Sequence, residues 1–341
     1  MGRWKKRQCG LISLALFTNA IFMIYVISYT SRTTEIYSTF TNDGHCSTKG
    51  LAKLPDSTNR RNITKIVIFT YWRSGSTFVS ELFSQHPDVF YMYEPLRACD
   101  CSKHCDHPKD NTIIQNAYIK DILNCDFDNN DFLSRLKDHK EFKWEVTFRG
   151  VDDFESIPHQ CASKKIKAIK VIRAESLERV AGVLGSDTAL FFLTRDPRGV
   201  LNSRKQFPYI YMNMAGKVRD MNELCKKHLA NYEFLQGLTR KSASQLRNMP
   251  LIKLIQYEHI AHDPLGNAKE LYEFINIPFH DGVADWIKKN TVSGRDSSPF
   301  GTKRNSKKVS NKWQNELTKR EMHMVHSIND CARVIEFLGK R

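Results

Sequence analysis

Ile66-Val67-Ile68-Phe69-Thr70-Tyr71-Trp72-Arg73-Ser74-Gly75-Ser76-Thr77 is the stretch whose reading decides the fold. Its first half is a β-branched and aromatic run that predicts a buried strand. Its second half is a turn of small residues, and Phe78-Val79-Ser80-Glu81-Leu82-Phe83 follows at once with helical spacing. A strand that turns through Gly and Ser into a helix points several backbone N–H groups at one place, with the positive end of the helix dipole behind them. That geometry binds a phosphate-like anion. Arg73 adds permanent charge and a planar donor fork at the mouth. The expectation is an anion cradle built from Arg73, Ser74, Gly75, Ser76, Thr77 and Phe78.

Outward from this stretch the chain alternates strand-like and helix-like segments. Residues 65–70, 166–172, 188–194 and 251–257 read as strands; residues 175–184, 197–206, 221–239 and 264–275 carry helical spacing. Strands separated by helices predict an α/β fold, a parallel sheet flanked by helices, in one globular domain over residues 65–341. No internal repeat and no second domain is visible.

The N-terminus sets an address. Residues 10–29 are free of charge and about as long as a bilayer core requires, and Arg3, Lys5, Lys6 and Arg7 precede them. The positive-inside rule keeps residues 1–9 cytoplasmic and sends the rest across. The length of the apolar run and the lack of a small-x-small cleavage site favour a transmembrane signal anchor at residues 10–29 of a single-pass type II protein over the competing reading, a cleaved signal peptide. Residues 30–64, rich in Ser, Thr and Asn, read as a lumenal stem. Eight cysteines follow the span, an even number in an oxidising compartment, which predicts disulfides of open connectivity. Cys99, Cys101, Cys105 and His107 crowd one short patch, but their spacing favours a disulfide-tied loop over a zinc site. Asn62-Ile63-Thr64 is an N-glycosylation sequon, which suits a lumenal surface. The formal charge of +15 points to a polyanionic partner, and a lumenal address argues against nucleic acid.

A second informative stretch is Leu193-Thr194-Arg195-Asp196-Pro197-Arg198-Gly199-Val200-Leu201-Asn202-Ser203-Arg204. Arg195 closes a buried strand, Asp196 is suited to cap a helix and Pro197 to open it. Ligands of parallel sheets bind outside the carboxyl ends of the strands, where this reading puts both Arg195 and the Arg73 turn. Ser203, two helical turns on, can face the same anion.

Taken together, Arg73-Ser74-Gly75-Ser76-Thr77 and Arg195-Asp196-Pro197-Arg198 with Ser203 resemble the two signatures of the sulfotransferases that use 3′-phosphoadenosine 5′-phosphosulfate. Gln85-His86-Pro87-Asp88-Val89, Tyr93-Glu94-Pro95-Leu96 and Tyr257-Glu258-His259-Ile260-Ala261-His262-Asp263-Pro264 extend the likeness to most of residues 65–340. Glu-Pro-Leu and the anchored layout are most similar to the Golgi carbohydrate 6-O-sulfotransferases, which modify galactose, N-acetylglucosamine or N-acetylgalactosamine. The resemblance implies that the first motif holds the 5′-phosphosulfate and that Arg195 and Ser203 hold the 3′-phosphate, with no metal required. It further implies that Thr302 and Arg304, in Thr302-Lys303-Arg304-Asn305-Ser306 ahead of Trp313, fold back toward the donor. A glycan or glycosaminoglycan is the implied acceptor and the Golgi membrane the implied location; oligomeric state is open.

An attacking hydroxyl needs a proton acceptor. Glu94 is the candidate base, on condition that burial raises its pKa; the competing reading is an ion-pair partner that orders Arg73 or Arg97. Residues 97–126 and 207–219 are the expected acceptor loops. A P-loop NTPase is disfavoured, because the Gly-Lys-Ser/Thr ending of that loop is missing. Two rivals share most of these features: a protein-tyrosine sulfotransferase, and a non-catalytic lumenal protein that binds acidic glycans.

Overall fold

The computed structural model describes residues 61–99, 108–128, 131–138, 151, 153–207, 213–292 and 301–339. The anchor read at residues 10–29, most of the stem, and Cys101, Cys105 and His107 of the Cys/His patch lie outside them. Among the described residues no helix is long and apolar enough to cross a membrane.

Five parallel strands form the sheet: β1 (Lys65–Phe69), β2 (Val89–Met92), β3 (Ile166–Val171), β4 (Thr188–Thr194) and β5 (Leu251–Gln256), in the order β2-β3-β1-β4-β5. All four pairings are parallel. The helices, in chain order, are α1 (Ser76–Ser84), α2 (Pro108–Leu123), α3 (Phe132–Asp138), α4 (Ile157–Ser163), α5 (Leu177–Ala181), α6 (Pro197–Arg204), α7 (Met214–Leu238), α8 (Ala243–Leu246), α9 (Tyr257–His262), α10 (Pro264–Phe274) and α11 (Asp281–Thr291). Four more close the chain: α12 (Ser306–Ser310), α13 (Trp313–Glu316), α14 (Lys319–Ser327) and α15 (Asn329–Phe337).

Why these segments fold this way is visible in their burial. Strand residues alternate between two covered faces, so β1 and β4 read as continuous apolar runs rather than as alternation. Ile66, Ile68, Ala168, Phe191 and Leu193 share one core with Leu82, Phe83, Leu271 and Tyr272 of α1 and α10. On the other face Phe69 and Phe192 pack at 5.6 Å, and Phe192 meets His228 and Tyr232 of α7. The strands, α6 and α10 begin where the sequence predicts. Asp196 caps α6 by accepting the Arg198 amide at 2.8 Å, with Pro197 behind it in the first turn. Three elements differ: α5 is shorter at both ends than the expected 175–184. β2 is four residues long, too short for a period to register, and α7 starts seven residues before the expected 221. There Asn213 caps it by accepting the Gly216 amide.

Two disulfides among the described residues answer the open connectivity in part. Cys125–Cys161 ties the segment after α2 to α4, and Cys225–Cys331 ties α7 to α15. Cys99 is buried.

The α7 face of the sheet buries a polar chain. Thr194 Oγ1 lies 2.7 Å from the Tyr232 hydroxyl and 3.3 Å from His228 Nδ1, and His228 Nε2 is buried without a hydrogen-bond partner. Burial, with a smaller contribution from the Arg204 charge, pushes the His228 imidazole down to about 3. Above the unfolded value near 6.5 this costs nothing. As pH falls below it the unfolded chain takes a proton that the folded chain refuses, so stability drops, at most ~1.4 kcal/mol per pH unit from this group. His228→Phe keeps the aromatic packing and the Thr194–Tyr232 bond. The variant is expected to lose ~2 kcal/mol less than the natural protein between pH 6.5 and 5, read from urea unfolding midpoints. Parallel losses in the two proteins would refute the assignment.

Candidate active site

The turn after β1 and the first turn of α6 meet at the carboxyl edge of the sheet, because β1 and β4 are neighbours there. Chain order reverses at β1, with β3 on one side and β4 on the other, which is where α/β sheets open a crevice. One pocket opens in that crevice. Its lining includes Arg73, Gly75, Ser76, Thr77, Phe78, Glu94, Arg195, Ser203, Thr302 and Arg304, so the structure brings together every site residue expected from sequence except Ser74 and the sequon. Ser74 is fully buried under the turn, with its hydroxyl unpartnered.

The turn is a strained and pinned piece of backbone. Arg73 has φ 68° and Gly75 φ 89°, both left-handed. Gly75 is also the residue before α1, and no side chain caps that helix, so its first amides have no acceptor of their own. A Cβ on Gly75 would overlap the Tyr257 ring. Arg204 donates from Nε and Nη2 to the Trp72 carbonyl at 3.2 and 2.8 Å, and Arg195 Nη1 donates to the Arg73 carbonyl at 3.0 Å. Arg73 Nε in turn donates to Ser203 Oγ at 2.9 Å. Ser203 faces the pocket as expected, and in this structure it also holds Arg73.

Arg73, Arg195 and Arg304 all line this pocket. Burial, then the charges of Arg195 and Arg304, bring the Arg73 guanidinium down to about 10. Arg195 lies over the Tyr257 ring at 4.4 Å, and its Nε is buried with no hydrogen-bond partner. Gly199 brings α6 close to that guanidinium; a Cβ there would stand 3.1 Å from Arg195 Nε. A buried donor without a partner, beside two other guanidinium groups, fits an anionic oxygen. The residues present therefore suit a multiply charged ligand.

Glu94 stands across the pocket, 5% exposed and with φ 46°. Lys170 reaches its Oε1 at 2.8 Å, while Arg173 and Arg97 reach Oε2 at 2.6 and 3.0 Å. Burial pushes the carboxyl up, but these three charges outweigh it and hold Glu94 well below the usual carboxylate range. The raised pKa expected of a buried base is thus corrected to a lowered one, because the burial comes with three cations. Arg97 was one expected partner; Lys170 and Arg173 are additions. A carboxylate has about four acceptor sites, so three donors leave one.

Lys170 is, with Arg173, a site residue that the sequence does not single out. It is 1% exposed, and besides Glu94 its Nζ contacts Thr77 Oγ1 at 3.2 Å and the Tyr93 ring at 3.4 Å from the centroid. The available signal was a charge on the apolar face of β3, in register with Ile166 and Ala168. Among the described residues no His, Cys, Asp and Glu cluster could hold a metal ion.

A parallel sheet with a polyanion cradle at its carboxyl edge defines a phosphate-binding α/β protein. The chain belongs to the sulfotransferase domain family, whose model matches residues 63–337. Among curated proteins it is similar to carbohydrate sulfotransferase 5 of Mus musculus, 27% identical over 81% of this chain and 80% of that one. Carbohydrate sulfotransferase 6 of Homo sapiens is 26% identical over the same shares. Among solved structures, a sulfotransferase domain from the curacin biosynthetic pathway aligns at TM-score 0.48 and 13% identity, covering 82% of this chain and 99% of that one. The protein is a sulfotransferase.

Gly75→Ala is expected to weaken 3′-phosphoadenosine 5′-phosphate at least tenfold, about 1.4 kcal/mol, because the methyl must displace Tyr257 and with it Arg195. Titration calorimetry measures this. Unchanged affinity would mean that the close approach of Gly75 to Tyr257 does not shape the cradle.

Proposed function

We propose that the enzyme transfers a sulfuryl group from 3′-phosphoadenosine 5′-phosphosulfate to a hydroxyl of a glycan, the 6-OH of galactose, N-acetylglucosamine or N-acetylgalactosamine. The observation that carries this reading is the trio Arg73, Arg195 and Arg304 lining one pocket. One phosphate does not call for three guanidinium groups; a nucleotide phosphorylated at both 3′ and 5′ does. The kinship with carbohydrate sulfotransferases supports a sugar acceptor.

The donor supplies an activated sulfuryl group on a phosphate leaving group. Arg73 and the amides of residues 74–77 hold the 5′ side, where charge grows as the S–O bond breaks. Arg195 and Ser203 hold the 3′-phosphate, with Thr302 and Arg304 closing over the nucleotide. Glu94 offers its remaining acceptor site to the sugar hydroxyl, orienting it and taking its proton as the new O–S bond forms. A carboxylate of such low basicity suits a transition state in which that proton leaves late. The Golgi lumen, reached through an anchor at residues 10–29, is the proposed address.

Three measurements test the reading. 3′-Phosphoadenosine 5′-phosphate is expected to bind at least tenfold tighter than ADP, with Arg73→Ala abolishing transfer and Arg195→Ala chiefly raising the donor KM. Equal affinity for the two nucleotides would refute the donor assignment. Labelled donor offered to a panel of desulfated glycans and tyrosyl peptides is expected to mark glycans at a primary hydroxyl; label confined to tyrosine would overturn the sugar assignment.

Glu94→Gln is expected to lower kcat by about 100-fold or more, within the range for a general base. Because the Glu94 pKa is depressed, the rate of the natural enzyme should not fall between pH 6 and 5 on its account. An acid limb with an apparent pKa of 5–6 that vanishes in Glu94→Gln would refute the lowered value, and near-normal turnover of the variant would refute the base role.

A further inference from the structure

The amino edge of the sheet, opposite the arginine pocket, carries a second groove. It has a volume of about 360 Å³ and is lined by residues leading into β1, β2 and β3 together with the turn between α10 and α11. Asn62, Asp88, Lys165, Asn276, Phe279 and His280 are among its walls. The size sits at the lower end of small-molecule sites.

Asn62 is the acceptor position of Asn62-Ile63-Thr64, and the chain around it is fixed. Arg61 donates to the carbonyls of Met249 and Leu246 at 2.7 and 3.2 Å. Ile63 is 6% exposed in the core, and the Thr64 amide donates to the Asp187 carbonyl at 2.9 Å. Between these anchors Asn62 is exposed and borders the groove. The sequon thus has its backbone held on both sides and its amide side chain at the rim of a cavity.

We propose that Asn62 carries an N-glycan and that the first N-acetylglucosamine of that glycan seats in this groove. The proposal rests on the lumenal address read from the first 29 residues, since only a translocated chain meets the glycosylation machinery. A pyranose ring has an apolar C–H face and a polar rim. Phe279, held edge-on against Tyr272 at 5.4 Å, supplies an apolar wall. The Lys165–Asp88 pair at 3.2 Å and the Asn276 amide supply donors and acceptors for hydroxyls and the acetamido group. His86 makes the far wall rigid: its Nδ1 accepts the Asp88 amide at 3.1 Å, so Nε2 carries the proton and donates to the Pro278 carbonyl at 3.1 Å. A sugar wedged here braces the 276–280 turn against the strand that enters from the stem, and leaves the arginine pocket open at the other edge.

The full chain made in cells with a glycosylating secretory pathway provides the test. Peptide mass mapping reads occupancy of Asn62. The folded protein is then trimmed with an endoglycosidase that leaves one N-acetylglucosamine, or with peptide-N-glycosidase, which leaves none. The one-sugar form is expected to melt with the intact protein, while the bare form melts about 2–4 °C lower, a shift that ~1 kcal/mol produces in a domain of this size. Amide exchange over residues 276–280 should rise in the bare form alone. Asn62→Gln controls for the Asp that peptide-N-glycosidase leaves and should match the bare form. Phe279→Ala should abolish the difference between one-sugar and bare forms. An unmodified Asn62 overturns the proposal, and the lumenal address falls with it only if the catalytic domain is also digested by protease added outside sealed microsomes. A modified Asn62 whose one-sugar and bare forms melt and exchange alike overturns the seating alone.

Discussion

The turn after β1 holds its shape because arginines take its carbonyl oxygens. Arg204 grips the carbonyl of Trp72 and Arg195 that of Arg73, both from the β4–α6 segment 122 or more residues away. With the oxygens drawn to the protein side, the opening amides of α1 are left to the pocket. The Arg73–Ser203 bond closes the circuit from the other direction. The two motifs that look independent in the sequence are therefore one mechanical unit. A residue of the second motif positions the first, and Gly75 is required because Tyr257, which carries Arg195 on its face, fills the space a side chain would need.

Charge balance in the site divides into two unlike halves. Around Glu94, three cations surround one buried carboxylate, and the ion pairs compensate the desolvation of each partner. Around Arg73, burial and then the like charges of Arg195 and Arg304 depress the guanidinium pKa. Repulsion of this kind destabilises the empty protein and is relieved when a polyanion arrives, so ligand binding and folding stability are linked. The arginine-lined half suits the proposed donor, and the half around Glu94, whose carboxylate offsets part of the charge of its three cations, suits the proposed hydroxyl.

The sheet was legible because β1, β3, β4 and β5 are buried runs bounded by clear breakers. Asp196-Pro197 marked the start of α6 for the same reason: capping chemistry is local. What escaped is non-local. β2 is too short to show a period, and its place at the sheet edge is set by pairing with β3. The disulfide partners of Cys125 and Cys225 lie 36 and 106 residues away. Most instructive is Glu94. The base reading is conditional on burial raising its pKa and the competing reading is an ion pair with Arg97; the pair is present, and a pKa depends on every charge that shares the burial. Lys170 and Arg173 come from the end of β3 and the loop beyond, which no spacing argument connects to Tyr93-Glu94-Pro95.

Lys170 also settles how the halves of the site are joined. Its side chain contacts both the carboxylate and, through Thr77, the helix that opens the anion cradle. A lysine ammonium is a compact charge with three donors, and here the Tyr93 ring beneath it confines where they point. Movement of Thr77 toward a bound phosphate therefore has a cost at Glu94 unless Lys170 follows. The spacing between the anion cradle and Glu94, the proposed receiver of the acceptor hydroxyl, is set by a buried lysine. That is what an in-line transfer demands, since displacement of a reacting atom by an ångström costs orders of magnitude in rate.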